Sequence, residues 1–141
     1  MLLLIRLIQT LFFFVWLNKA ALAEGCEDLP YYEKFDTAVQ SYKEGRYRLA
    51  ETQFTAILVD ERYYKDPAAQ LLMAKSQYRH GQWDKALRSC KSVLSNFSGS
   101  PYESDAMILL GDIALARGKI TSAFQHYLSV RPLIEDLLYL N

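Results

Sequence analysis

Residues 80–94 read HGQWDKALRSCKSVL, and this stretch decides the fold because the chain repeats its pattern twice. Residues 44–58 (EGRYRLAETQFTAIL) and 117–131 (RGKITSAFQHYLSVR) align with it without gaps. Every copy has a glycine in second place, a bulky apolar residue two positions later, an alanine five later and a β-branched residue twelve later. The three glycines lie 36 and 37 residues apart. A fixed period of about 35 residues is typical of stacked structural repeats.

A helix is predicted on each side of every repeat glycine. Residues 107–115, which precede one of these glycines, place apolar side chains at the three-to-four-residue spacing of an amphipathic helix. The glycine itself supplies the left-handed backbone that ends the helix and begins the turn. The repeat alanine, and a small residue seven positions before each glycine, let paired helices approach to about 8–10 Å. The residues predicted to set the repeat structure are Ala38, Gly45, Ala50, Ala74, Gly81, Ala86, Gly111, Gly118 and Ala123.

Capping residues set the predicted helix starts. Asp66 precedes Pro67 as an N-cap, and Ser100–Glu103 reads as a capping box with Pro101 at the first helical position. No segment shows the alternation of a strand, so the predicted fold class is all-α. The six helices are expected at about 31–44, 47–60, 67–80, 83–97, 101–117 and 120–131. They form an α-solenoid of about three helix-turn-helix units, at about 31–66, 67–100 and 101–132, followed by a short C-terminal helix at 133–141.

The composition fits one globular domain. Of 141 residues, 51% are hydrophobic and 23% are charged, which is too apolar for a disordered chain. The formal net charge is zero, and phosphate recognition needs clustered lysine and arginine, so no nucleic-acid partner is predicted. Two cysteines are too few for a disulfide scaffold or a four-thiolate zinc site.

The first 23 residues read as an export signal. Arg6 precedes a short apolar stretch over 7–17, and Ala21-Leu22-Ala23 matches a small-x-small cleavage site. Residues 24–30 then form a linker. The expected location is the periplasm or the exterior of the cell. Two alternatives are an uncleaved membrane anchor and an outer-membrane lipoprotein attached through Cys26.

The repeat pattern resembles the tetratricopeptide repeat (TPR) family over about 100 residues. The third unit matches best, with small-Met-x-x-Leu-Gly at 106–111 followed by Gly118, Ala123 and Tyr127. Residues 97–112 (FSGSPYESDAMILLGD) look in particular like repeats of bacterial envelope proteins, such as the Tol-Pal coordination protein and the β-barrel assembly lipoprotein.

The resemblance implies a concave groove lined by the first helix of each unit. The positions carried over are Tyr32, Phe35, Val39, Tyr42 and Lys43 in unit one, Ala68, Leu71, Lys75, Tyr78 and Arg79 in unit two, and Asp105, Ile108, Asp112, Leu115 and Ala116 in unit three. Aromatic residues with arginine or lysine are the composition of protein interfaces. The residues predicted to bind a partner are Tyr32, Tyr42, Lys43, Lys75, Tyr78, Arg79 and Asp112. The aromatic members could equally serve as core packing.

Catalytic chemistry is not predicted. His80 and His126 have no second ligand on their helices, and no phosphate loop or nucleophile elbow occurs, so no metal and no cofactor are expected. Cys90 takes the interior position of its repeat and is interpreted as a small buried hydrophobe. A disulfide to Cys26 and a redox role for the Cys90 thiol are the alternatives.

The predicted function is an exported, non-catalytic scaffold that binds another protein or peptide in the bacterial cell envelope. Membrane contact is expected only if Cys26 is lipidated. The alternatives are the N-terminal TPR module of a larger envelope protein or lipoprotein, and a thiol-redox protein or enzyme that uses Cys90.

Overall fold

Six helices and no strands make up the part of the chain that the structure, a computed structural model, describes. That part is residues 30–139, with side chains as far as Val130. The helices are α1 (Tyr31–Lys43), α2 (Tyr47–Val59), α3 (Pro67–Arg79), α4 (Trp83–Asn96), α5 (Glu103–Ala116) and α6 (Ile120–Tyr139). Consecutive helices pack against each other, which confirms the predicted all-α solenoid of helix pairs. The predicted export signal, the linker before Pro30 and Cys26 lie outside the described residues.

The turn inside each helix pair is made by the repeat glycine. Gly45, Gly81 and Gly118 have φ angles of +78°, +79° and +73°, as predicted. An added Cβ would meet nothing within 4 Å at any of the three, so space does not require glycine there. Glycine is favoured there by the left-handed backbone conformation, because residues with a side chain adopt that conformation only at an energetic cost.

Small residues sit at the contacts inside the pairs. The predicted residues Ala38, Ala50, Ala74 and Ala86 are fully buried, and Ala123 is 2% exposed. At Gly111 an added Cβ would lie 2.7 Å from Tyr127 Cδ1, closer than packed carbon atoms approach. The helices α5 and α6 therefore approach closely at this glycine.

Among the residues whose side chains are described, the core is formed by two apolar clusters. The first spans α1 to α3 and is built of Ala38, Ala50, Phe54, Ile57 and Ala69. The second spans α3 to α5 and is built of Leu71, Ala74, Ala86, Cys90, Val93, Ala106, Leu109, Leu110 and Ile113. Because α3 contributes to both clusters, neighbouring units share a core, as expected for a solenoid.

One of the two predicted helix starts is confirmed and one is wrong. Asp66 Oδ1 accepts hydrogen bonds from the backbone N–H groups of Ala68 (2.8 Å) and Ala69 (3.1 Å), which caps α3. The predicted capping box before α5 does not form, since the hydroxyl of Ser100 has no hydrogen-bond partner. Glu103 Oε2 instead accepts from the Gly99 N–H at 2.6 Å. Gly99 has a φ of +78°, and the turn that it begins delays α5 until Glu103.

The end of the array also differs from the prediction. The separate short helix expected over 133–141 does not form as such, because α6 continues as one helix from Ile120 to Tyr139. Each of the other helix-pair turns uses a glycine with positive φ, and no glycine follows Gly118. Pro132 alone does not end the helix, since an internal proline can be accommodated by a local bend.

Among residues 30–139, no helix combines the length and the apolar character needed to cross a membrane.

Candidate partner-binding groove

The first helices of the three units together line one cavity. It has a volume of about 250 Å³, and α1, α3 and α5 all contribute to it. Its lining residues are Tyr42, Lys75, Tyr78, Arg79, Asp105, Ile108, Leu109 and Asp112. We call this cavity the groove.

Five of the seven predicted partner-binding residues meet in the groove. These are Tyr42, Lys75, Tyr78, Arg79 and Asp112, which come from three different units. Their convergence follows from the repeat, because successive first helices stand side by side in a solenoid. Asp105 and Ile108, which the resemblance also carried into the groove, line it as well.

The other two predicted residues lie elsewhere. Tyr32 is 63% exposed near the start of α1, and Lys43 is exposed at the end of that helix, but neither lines the groove. Leu115 and Ala116 are likewise exposed at the end of α5 without lining it. These four residues of the predicted surface therefore lie outside the groove.

An ion pair bridges the groove between two units. Lys75 Nζ on α3 lies 2.6 Å from Asp105 Oδ2 on α5. The two side chains are 30% and 49% exposed, and ion pairs so accessible to water contribute little net stability. Either charge can therefore be redirected to a bound ligand at small cost.

Arg79 is held in place by an aromatic residue of the preceding unit. Its Nη2 donates a hydrogen bond to the Tyr47 hydroxyl at 2.8 Å, and its guanidinium carbon lies 5.1 Å from the centre of the same ring. Tyr47 packs edge-on against Tyr42, with ring centres 5.4 Å apart. The hydrogen bond to Tyr47 raises the pKa of Arg79 above its ordinary value. The groove thus presents a permanent cation whose orientation is fixed by stacking.

Asp112 is oriented by the partner helix of its own unit. Its Oδ1 accepts a hydrogen bond from the Tyr127 hydroxyl on α6 at 2.7 Å. This bond, with a smaller effect of burial, raises the pKa of Tyr127 to about 12. Tyr127 remains a donor at neutral pH and keeps the Asp112 carboxylate directed toward the groove.

Comparison with known sequences gives the family. A sequence model of the tetratricopeptide repeat matches residues 35–101 and 71–134, which together cover well over half of the chain. The chain belongs to the tetratricopeptide repeat family. TPR domains generally mediate protein–protein interactions and typically serve as scaffolds rather than as enzymes.

A solved TPR domain has a similar fold. The crystal structure of the TPR domain of Arabidopsis FLU superposes with a TM-score of 0.65 and 18% sequence identity, over 75% of this chain and 95% of that one. At this identity the likeness concerns the TPR fold alone. A search of curated proteins finds no significant match to the chain.

Three residues of the groove region escaped sequence reasoning. Tyr47 and Tyr127 belong to second helices, whereas the family pattern carries only first-helix residues into a TPR groove. Leu109 is a core residue that is only 4% exposed. Its exposed edge nevertheless forms part of the groove lining. The repeat register contains no signal for these contacts, because they depend on side-chain direction across a helix pair.

A second, wider cavity lies outside the TPR groove. It has a volume of about 570 Å³ and is built around the first helix-pair turn by Gly45, Arg46, Tyr47, Arg48, Leu49, Thr52 and His80. None of the predicted partner-binding residues lines it. Tyr47, which lines this second cavity, also stacks against Arg79 of the groove.

The Cys90 thiol lies in the second core cluster. Cys90 is fully buried, and burial raises the pKa of its thiol to about 12. A reactive thiol needs a lowered pKa and access, so this environment favours the predicted packing role over the redox alternative. In residues 30–139 no three histidine, cysteine, aspartate or glutamate side chains are grouped so as to hold a metal ion.

Proposed function

We propose that this chain is a non-catalytic scaffold that binds a segment of another protein in the groove. The observation that carries the proposal is the convergence of Tyr42, Lys75, Tyr78, Arg79 and Asp112 from three units on one cavity. Large aromatic surfaces and an oriented arginine are the usual sources of binding free energy at protein interfaces. The general role of TPR domains supports the same assignment.

The lining indicates the chemistry of the bound segment. Tyr42, Tyr78 and Ile108 offer an apolar surface for an aliphatic or aromatic anchor. Arg79 of unit two provides a fixed cation, which is held by Tyr47 of unit one. Asp112 of unit three provides a fixed anion, which is held by Tyr127. The ligand is therefore a peptide or helix with an apolar centre, an acidic group placed at Arg79 and a basic group placed at Asp112.

The binding experiment uses two variants matched in charge. A pull-down with the chain from Glu24 onward identifies a partner, and calorimetry then measures the affinity of the partner's contacting segment. The groove variant Lys75→Ala, Arg79→Ala is expected to lose affinity by at least about tenfold. The control variant Arg88→Ala, Lys91→Ala removes the same charge from exposed positions of α4 and is expected to bind normally.

Equal affinity of the groove variant and the wild type would contradict the proposal, provided that circular dichroism shows unchanged helix content. Equal losses in the groove and control variants would instead indicate a general effect of net charge, and would contradict it as well.

The proposed place of action is the bacterial cell envelope, after export. The support is the sequence of residues 1–23 and the likeness of residues 97–112 to repeats of envelope proteins. A role as the TPR module of a larger envelope protein shares this support. Mass spectrometry of the protein from cell fractions is expected to find an N-terminus at Glu24 in the periplasm. An acyl group on Cys26 would select the lipoprotein alternative, and an N-terminus at Met1 would contradict export.

A further inference from the structure

The turns inside the three helix pairs lie along one edge of the array. Arg117 Nη1 of the third turn is 3.0 Å from Asp84 Oδ1, which follows the second turn. The wider cavity joins the first turn to the second, because Arg46 and Arg48 line it together with His80. We call this edge the turn edge and define it, in each unit, as the residues from three before the repeat glycine to four after it. These residues are 42–49, 78–85 and 115–122.

The turn edge holds the positive charge of the array. It contains seven basic and two acidic residues, whereas the rest of residues 30–130 contain six basic and nine acidic ones. The seven cations are all exposed. They are Lys43, Arg46, Arg48, Arg79, Lys85, Arg117 and Lys119.

Most of these cations have no acidic partner. The two acids of the edge, Glu44 and Asp84, are each paired with one of its arginines. Glu51, which lies outside the edge, places Oε1 at 3.7 Å from Lys85 Nζ. The other four cations of the turn edge form no ion pair with any residue whose side chain the structure describes. Their charge is available to a ligand.

Helix stability does not explain where these charges stand. A helix N-terminus carries partial positive charge and is stabilised by acids, so a cation there is unfavourable. Arg46 is the N-cap of α2, and Arg48 lies in the first turn of that helix. Lys85 lies in the first turn of α4, and Lys119 directly precedes α6. More than half of the cations of the turn edge therefore weaken their own helix, as expected of charges that serve an external ligand.

The opposite edge of the array is acidic. It consists of residues 31–36, 60–66 and 97–105, where first helices begin and second helices end, and it holds seven acids against three basic residues. The first helices are 13 or 14 residues long, so about 20 Å separate the two edges. Because this distance exceeds the Debye length of about 8–10 Å, the acidic edge is screened from a negative surface that the turn edge approaches.

Exposed apolar side chains accompany the cations in every unit. Leu49 is 41% exposed next to Arg48, and Trp83 is 40% exposed at the start of α4. Leu115 and Ile120, on the two sides of the third turn, are 53% and 71% exposed. Apolar side chains among lysines and arginines are typical of surfaces that lie on an anionic bilayer. A tryptophan suits the bilayer interface because its ring is apolar and its N–H is polar.

We propose that the turn edge binds the surface of a bilayer that contains anionic phospholipid. Its apolar side chains are spread over three units in one row, which matches a flat surface better than a single acidic segment of a protein. The wider cavity, of about 570 Å³, has room for a headgroup phosphate, with Arg46, Arg48 and His80 as donors. This contact requires neither an acyl group on Cys26 nor an occupied groove.

The test is the binding of the chain from Glu24 onward, made without acylation, to lipid vesicles. This chain lacks the apolar stretch over 7–17 and keeps the compact unit that begins at Tyr31. Trp83 is its single tryptophan, so fluorescence reports on the turn edge itself. We expect co-sedimentation with phosphatidylcholine vesicles that contain about 30% phosphatidylglycerol, and quenching of Trp83 by brominated acyl chains. Binding is expected to be lost in about 1 M salt and to be absent with phosphatidylcholine alone.

Two variants that remove the same charge locate the contact. Arg48→Gln, Lys119→Gln removes two unpaired cations of the turn edge and is expected to lower the vesicle affinity by about tenfold or more. Arg88→Gln, Lys91→Gln removes one arginine and one lysine from exposed positions of α4 outside the edge, and is expected to bind as the wild type does. If circular dichroism shows that the first variant loses helix content, Lys43→Gln, Lys119→Gln provides the same test.

Four outcomes would overturn the inference. They are equal binding, or none, to the two kinds of vesicle, equal affinities of the two variants, and Trp83 emission that bound vesicles leave unquenched. The fourth is soluble polyglutamate that binds as tightly as the vesicles, which would assign the turn edge to an acidic protein. None of these outcomes depends on whether the groove binds a partner, since no groove residue is changed.

Discussion

At the scale of single residues, Gly111 sets how closely α5 and α6 approach. The Tyr127 ring occupies the space that a Cβ would need. We predict that Gly111→Leu lowers the free energy of unfolding by roughly 1–3 kcal/mol, because overpacking forces the helices apart. Thermal unfolding followed by circular dichroism measures the change. Ala116→Leu is the control, since Ala116 is exposed on the same helix. An unchanged melting temperature for Gly111→Leu would show that the repeat register assigned to unit three is wrong.

Cys90 shows how burial decides the chemistry of a residue. Because its pKa is raised to about 12, the thiol stays protonated at pH 8, where an ordinary cysteine is partly thiolate. We predict that a thiol reagent at pH 8 labels Cys90 only when the protein unfolds, in a Cys26→Ser background that leaves one cysteine. The labelling rate in denaturant is the reference. Rapid labelling of the folded protein would revive the redox alternative.

The residue scale is also where sequence reasoning stops. Gly45, Gly81 and the repeat alanines could be assigned because their spacing is fixed by the backbone. The hydrogen bond from Tyr127 to Asp112 could not, because it depends on the direction of two side chains on different helices. For the same reason, the sequence identified Arg79 as a groove residue without identifying the tyrosine that holds it.

At the scale of the helices, α3 begins at a strong N-cap. Asp66 accepts two backbone N–H hydrogen bonds through Oδ1, and its Oδ2 accepts one from the Tyr31 hydroxyl of α1. We predict that Asp66→Ala lowers the free energy of unfolding by about 1–2 kcal/mol. Asp66→Asn, which keeps the capping oxygen, is expected to lose distinctly less in the same denaturant titration. Equal stability of the alanine variant and the wild type would contradict the capping role.

The helix boundaries were predictable where one local signal acted alone. Asp66 and Pro67 fixed the start of α3, and the repeat glycines fixed the turns inside the pairs. Before α5, two signals competed. The serine and proline at positions 100 and 101 favoured an early start, but the left-handed Gly99 directed the chain into a turn that Glu103 closes. At the end of the array a separate short helix was predicted over 133–141, but α6 continues as one helix from Ile120 to Tyr139.

At the scale of the whole molecule, the repeat period predicted more than the individual motifs did. The period alone places the first helices of three units side by side, and it therefore brought residues 33 to 37 positions apart in the sequence, such as Tyr42 and Lys75, to one cavity. It did not predict which groove charges would be paired. The bridge from Lys75 to Asp105 depends on the exact rise between neighbouring units, and only the structure supplies that rise.

The shared core also implies an uneven distribution of stability along the array. The middle helix α3 contacts α1, α2, α4 and α5, whereas α6 contacts only α5 among the described helices. In a solenoid, stability is approximately the sum of each unit's own contribution and those of its interfaces, so the end helices open at the lowest free energy. We predict that the backbone amides of α3 exchange hydrogen most slowly and that those of α1 and α6 exchange fastest.

Hydrogen exchange followed by mass spectrometry measures this gradient along the array. Slow exchange is expected in α3, where four other helices pack, and fast exchange in α6, which contacts only α5 among the described helices. Equal protection of α1, α3 and α6 would mean that the helices open only together, and the graded array would then not describe the molecule.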